Sequence, residues 1–176
     1  LSESNTLSLD DPIERWLGDL PPWADGVTIR HLLTHTSGIV DYEDLIAEDA
    51  TRQVLDADVL TLLAAQTDRY FAPGASYRYS NSAYALLALI VERASGQPFE
   101  RFLARAIFAP LGMKDTAFHV PAAKLSRLAR MHREDDSGTL VASDREGDPT
   151  VVPKAAFGGH GLFSTATDYA RFAQML

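Results

Sequence analysis

Apolar residues along this chain recur mostly at three- and four-residue intervals, the spacing that gives a helix one buried face. After a short extended entry at Leu7-Ser8-Leu9, Asp10-Asp11-Pro12 predicts a helix start with an acidic cap and proline at the first helical position. Ile13, Trp16 and Leu17 form its apolar face and Gly18 ends it. Pro21-Pro22 is a rigid connector. Thr28 reads as the next N-cap, followed by a helix over Ile29 to Thr36 with Ile29, Leu32 and Leu33 inward and a left-handed exit at Gly38. Residues 41–50 are acidic and weakly helical. Asp56 or Asp58 opens a helix that buries Val59, Leu60, Leu62 and Leu63. Residues 69–79 are irregular, with a turn at Pro73-Gly74. Ser82 to Ala94 is apolar on nearly every side, which predicts the central helix of a bundle, closed by Gly96. Pro98 starts another helix, with Phe99, Phe102, Leu103, Ala106 and Ile107 on one face, and Pro110 and Gly112 end it.

The pattern then changes period. Leu125 to His132 and Thr139 to Ser143 read as two strands of a hairpin around Asp136-Ser137-Gly138. Residues 146–153 read as loop, and Phe157-Gly158-Gly159-His160-Gly161 as a glycine-rich tight turn. Thr165 and Asp168 stand at capping-box spacing before a last amphipathic helix carrying Tyr169, Phe172, Ala173 and Leu176. The predicted fold class is therefore mainly α with a small β-hairpin, without internal repeat or low-complexity segment.

Composition narrows the picture. The 176 residues suit one domain. There is no cysteine, which excludes a disulfide framework and thiolate zinc sites. A formal net charge of −8 argues against nucleic acid and anionic membrane as partners. No apolar run reaches membrane-spanning length, and no stretch reads as a cleavable signal. Leu1 is not a natural start, and the last helix stops without a C-cap, so the chain reads as a piece of a longer protein, truncated at both ends.

The candidate chemistry centres on Tyr79-Ser80-Asn81, between the turn Phe71-Ala72-Pro73-Gly74 and the longest apolar run, Ala83 to Val91. A phenol that can pass protons and an amide that both donates and accepts hydrogen bonds would stand on the rigid base of a buried helix. The plainer reading is that Asn81 or Ser82 caps the helix and Tyr79 packs against it. His31 and His35 lie at i and i+4, as in helical metal sites, but no glutamate stands between them and no third ligand is near; they read as structural histidines bonded to neighbouring backbone. The glycine cluster lacks phosphate-loop spacing, and His160 reads as a turn residue. Neither a cofactor nor a metal is predicted.

Several landmarks occur in a fixed order: Thr28 to Gly38 (TIRHLLTHTSG), Phe71 to Gly74, Tyr79 to Asn81, Pro110 to Thr116 (PLGMKDT) and Gly161 to Asp168 (GLFSTATD). Together they resemble the class C β-lactamase-like serine hydrolases, a group of β-lactamases, penicillin-binding DD-peptidases, D-aminopeptidases and esterases. The resemblance spans nearly the whole chain. It implies an α/β sheet domain with a mostly helical domain inserted in it and the site between; residues 1–176 match the helical domain, with the sheet domain absent. It also implies three motifs: Ser-x-x-Lys, Tyr-x-Asn, and Lys-Thr-Gly or a His-x-Gly variant. Tyr79 and Asn81 match the second. The lysines here are Lys114, Lys124 and Lys154, and three residues before them stand Leu111, Pro121 and Val151, so no Ser-x-x-Lys occurs; neither form of the third motif occurs either.

The resemblance further implies acyl transfer through a serine ester, with Tyr79 as general base toward the serine and Asn81 holding the neighbouring lysine and the substrate's acyl-side amide. The partner is then a small-molecule amide or ester (β-lactam, D-peptide or ester), and a periplasmic or secreted location is compatible with it. The isolated chain is expected to be inactive. An apolar face is expected where the sheet domain would pack, which predicts a homo-dimer through that face. Two alternatives stay open: a non-catalytic binding or scaffolding relative, and a helical interaction module with Tyr79 in its core. No Gly-x-Ser-x-Gly elbow occurs, which argues against an unrelated Ser-His-Asp hydrolase.

Overall fold

The apolar run in the middle of the chain becomes the helix that the other elements pack around. A computed structural model describes residues 1–46, 53–143 and 148–176. Within them the chain forms α1 (Glu14–Leu17), α2 (Ile29–Leu33), α3 (Asp56–Ala64), α4 (Asn81–Ser95), α5 (Phe99–Leu103), the hairpin strands β1 (His132–Glu134) and β2 (Leu140–Ala142), and α6 (Ala166–Met175). Single 3-10 turns over Pro22–Ala24, Tyr42–Leu45 and Ala122–Arg127 connect them, and α5 runs on into a π-helical turn, Ala104–Phe108.

α4 packs against α1, α2, α3 and α5. It buries Ser82, Ala83, Ala85, Leu86, Ala88, Leu89 and Ile90, which is why its sequence shows no polar stripe. Ile13, Val27, Leu32, Val59 and Leu63 complete the same core. The Trp23 indole N–H donates to the Leu63 carbonyl at 2.9 Å inside it, satisfying the one polar atom the ring brings. Gly96 ends α4 in the left-handed conformation, φ +67°, and donates to the Glu92 carbonyl.

Several expected boundaries move. Pro12 lies ahead of the first helical turn, and Asp11 does not cap α1; its carboxylate accepts the Ser8 N–H and pairs with Arg15 at 2.9 Å. α2 keeps its Thr28 cap, made reciprocal by His31, but stops at Leu33 because His35 turns left-handed. Of the weakly helical stretch 41–50, Tyr42–Leu45 is a 3-10 turn and residues 47–50 lie outside the described residues, as do 146–147 of the expected loop.

The expected strand over Leu125 to His132 is the clearest correction. Pro121 opens a 3-10 turn over Ala122–Arg127, and Lys124 and Arg127, three residues apart and so on one side of it, both bind the Asp115 carboxylate. Only His132–Glu134 is extended, paired antiparallel with Leu140–Ala142 in the register His132↔Ala142, Arg133↔Val141, Glu134↔Leu140. The turn between them is set by Asp135, whose Oδ1 accepts the Ser137 and Thr139 N–H groups.

At the last helix Thr165 caps as expected, accepting the Asp168 N–H at 3.2 Å. Asp168, only 2% exposed, does not complete the box: its Oδ2 takes the Asp115 N–H at 2.7 Å and the Thr116 hydroxyl at 3.1 Å, and its Oδ1 takes Arg171. A residue spaced for a local cap is used to tie α6 to the segment before the hairpin. Tyr169 and Met175 stand exposed on that helix.

The glycine-rich turn closes onto α4 at contact distance. A Cβ at Gly158 would stand 2.2 Å from the Tyr84 carbonyl oxygen and 2.7 Å from the Ala88 methyl, both on the central helix. The helix backbone cannot yield, so Gly158→Ala is expected to cost about 1–3 kcal/mol of stability or more. Urea unfolding reads this as a lower midpoint at unchanged slope; an unmoved midpoint contradicts the close approach.

Candidate active site

The site is built where an irregular segment becomes a helix. Ser80 is extended, and its Oγ accepts the Ala83 N–H at 3.1 Å, so the N-cap of α4 is Ser80 rather than Asn81 or Ser82. Asn81 is the first helical residue, and its N–H donates to Asp41 Oδ2 at 2.8 Å. That places a carboxylate at the positive end of a 15-residue helix, a favourable position worth about 0.3–1 kcal/mol. The Tyr42 N–H donates to the buried Ser82 Oγ at 2.7 Å. Glu43 Oε1 accepts from Asn81 Nδ2 at 3.0 Å. Three consecutive residues, Asp41, Tyr42 and Glu43, thus clasp the first two residues of α4.

The Glu43 bond orients the carboxamide. One N–H is held, and Oδ1 is left as an acceptor beside the glycine turn, where a Cβ on Gly159 would lie 3.8 Å away. Asp56 holds that turn from behind: both carboxylate oxygens lie within reach of the Gly158 N–H, at 3.1 and 3.2 Å. Burial pushes the Asp56 acid up to about 7, against the Gly158 bond, which favours the charged form; the nearby Glu92 charge adds to the rise.

Tyr79 points out of the fold and is 61% exposed, which removes the alternative that sets it in the core. Its ring lies against His35, centroids 4.7 Å apart, and Tyr77 and Tyr84 contact the same imidazole. Arg78 sits over the Tyr70 ring at 4.0 Å and pairs with Asp44 at 3.9 Å. Both candidate histidines are engaged structurally. His31 Nδ1 accepts the Thr28 N–H at 3.2 Å, and His35 Nδ1 accepts the Ser80 N–H at 3.2 Å. The His160 ring rests on Phe157, centroids 4.6 Å apart, within the turn.

The structure therefore leaves Tyr79 exposed and Asn81 half-buried two residues on, and adds Asp41, Glu43, Ser80 and Asp56 as supports that the sequence pattern did not single out. Ser80 had a local signal, a serine three residues before a buried alanine. The others act across 38 to 102 residues. Lys114 and Lys124 line a separate cavity of about 120 Å³ with Thr116, Ala117, Val120 and Phe163, whose lining does not include Tyr79 or Asn81.

Comparison with known proteins identifies the family and the fold. The family profile described as Beta-lactamase matches residues 1–176. Penicillin-binding protein 4* of Bacillus subtilis is 40% identical, over all of this chain and 41% of its own length. Esterase EstB of Burkholderia gladioli is 39% identical, over 94% of this chain and 49% of its own. The β-lactamase/D-alanine carboxypeptidase structure from Yersinia pestis superposes with a TM-score of 0.78 at 27% identity, over 99% of this chain and 48% of that one. The chain thus spans somewhat under half the length of these relatives.

Asp56 makes stability depend on pH. Unfolded it ionises near 3.8, and folded near 7. Between those values the folded state keeps a proton that the unfolded state has lost. Stability therefore falls as pH rises through that window and levels off above it, by up to about 4 kcal/mol. Asp56→Asn, neutral throughout and still able to accept the Gly158 N–H, is expected to flatten the profile and raise the melting temperature at pH 8. Thermal melts from pH 4 to 8 that keep the wild-type slope in the variant would contradict the assignment.

Proposed function

This chain belongs to the Beta-lactamase family, a family of hydrolases, and on that premise we propose that it carries the phenol and carboxamide of a serine hydrolase centre working by acyl transfer. The observation that carries the reading is the exposed Tyr79 phenol beside an Asn81 carboxamide whose orientation Glu43 sets, both at the start of the most buried helix. The nucleophilic serine and its ammonium partner are supplied by sequence outside these residues, as is the sheet domain against which this mainly helical unit packs.

Tyr79 acts as the general base. The serine oxygen bonds to the carbonyl carbon of a small amide or ester as its proton passes to the phenolate. The carbon–nitrogen or carbon–oxygen bond then breaks, and the phenol returns that proton to the leaving group. Water repeats the sequence on the acyl-enzyme. An ammonium group beside the phenol stabilises the negative charge it carries while it holds no proton. Asn81 Oδ1 accepts from such an ammonium, and its second amide hydrogen reaches the acyl side of the substrate.

The exposed Tyr169 of α6 belongs to the face that the sheet domain covers. In isolation a second copy covers it instead, and light scattering of the 19.3 kDa chain is expected to return a dimer mass; a strict monomer removes this part of the reading.

In the complete protein, Tyr79→Phe is expected to lower kcat by about 10²- to 10⁴-fold on p-nitrophenyl butyrate or nitrocefin. The 176-residue chain alone is expected to turn over neither. Turnover by the chain alone, or an unimpaired Tyr79→Phe variant, would overturn the proposal.

A further inference from the structure

One residue grips both neighbours of Tyr79. The His35 carbonyl accepts the Arg78 N–H at 3.0 Å, and His35 Nδ1 accepts the Ser80 N–H at 3.2 Å. Between those two bonds the imidazole lies along the Tyr79 ring, tilted by 34°, with centroids 4.7 Å apart, and Tyr84 stacks on the same imidazole at 5.1 Å. The segment that carries Tyr79 has no regular secondary structure of its own, so no ladder or helix holds the phenol from the N-terminal side.

His35 reaches this position through an uncommon backbone conformation. Its φ is +56°, and among the described non-glycine residues only Asn5 shares a positive φ. Histidine and asparagine tolerate that region better than aliphatic or β-branched residues. A ring nitrogen that accepts an N–H carries no proton, so the neutral imidazole holds its hydrogen on Nε2. A protonated ring would set two N–H groups against each other at Ser80.

We propose that His35 is a positioning residue for Tyr79: a neutral imidazole whose carbonyl and Nδ1 pin the residues on either side of the phenol and whose ring fixes its plane. This rests on the reading of Tyr79 given above. His35 exchanges no proton with substrate; it removes freedom from the group that does. A displacement of about 1 Å at a reacting group costs as much as 10²-fold in rate, so the effect falls on kcat and not on substrate binding.

The test uses the complete protein. His35→Phe keeps an aromatic ring and removes the acceptor; kcat on p-nitrophenyl butyrate is expected to fall roughly tenfold or more, with KM within about twofold. His35→Asn restores an acceptor and tolerates the left-handed backbone, and is expected to recover most of the loss. With ¹⁵N at histidine and serine, a scalar coupling across the hydrogen bond from the Ser80 amide to His35 Nδ1 is expected in the unsubstituted protein, which makes the test independent of whether the Phe variant folds. Absence of that coupling overturns the proposal. So does an unchanged kcat in His35→Phe while Tyr79→Phe is inactive, an outcome that leaves the role of Tyr79 standing. A fully active Tyr79→Phe variant overturns both, even with the coupling present.

Discussion

A helix that begins inside a protein must find acceptors for its first amide hydrogens, and at α4 that requirement arranges the groups around it. Ser82 and Ala83 are buried at the start of the helix, so water cannot serve all of them. Ser80 takes one N–H with its hydroxyl and Asp41 takes another with its carboxylate. Ser82, buried beside them, is satisfied by the Tyr42 N–H. The acidic turn at Tyr42–Leu45 is drawn to the helix by these bonds, and Glu43 arrives with it to hold the Asn81 side chain. Orientation of the carboxamide is thus a by-product of satisfying a helix end. The candidate chemistry sits on atoms already fixed for reasons of stability, which is what preorganisation requires.

The same helix sets the terms for the turn that borders the site. Gly158 can lie on the α4 backbone where any side chain would collide, and the close approach turns its N–H toward Asp56. Asp56 supplies the acceptor, and is itself buried to do so. A hydrogen bond to one N–H does not offset the loss of hydration around a carboxylate, so the acid is displaced toward neutrality. A structural contact and a titration are here one interaction, and pH acts on the wall of the site through it.

What could be read from the sequence follows from how far each interaction reaches. The central helix, the Thr28 and Thr165 caps, the Gly96 stop and the hairpin turn are specified by neighbours within a few positions, and their residue types announce them. Tyr79 and Asn81 were legible because they sit at a change of pattern, irregular to buried, that an ordered series of motifs brackets. The supports were not. Asp41 and Asp56 act on residues 40 and 102 positions away, and such bonds leave no period in the sequence. The false strand at Leu125 shows the opposite failure. A hairpin turn signal followed, but one carboxylate, Asp115, collected Lys124 and Arg127 onto a single side of a 3-10 turn and decided the backbone. Asp168 was spaced for a local cap and spent on a distant one, because the Asp115 N–H and Thr116 hydroxyl were buried beside it.

Relatives of this chain include a penicillin-binding protein and an esterase at nearly equal identity, so the features it shares with both cannot be what separates their substrates. In the proposed reading the groups described here handle a proton and a carbonyl's immediate surroundings, needs common to amide and ester acyl transfer. Discrimination between leaving groups requires walls that touch the rest of the substrate. Tyr77, Tyr79 and Tyr84 are all exposed and all contact the His35 ring, Tyr77 edge-on and the other two tilted or stacked. On the reading proposed above, selectivity falls to groups that touch the rest of the substrate, while the contacts of His35 bear on how firmly the phenol is held.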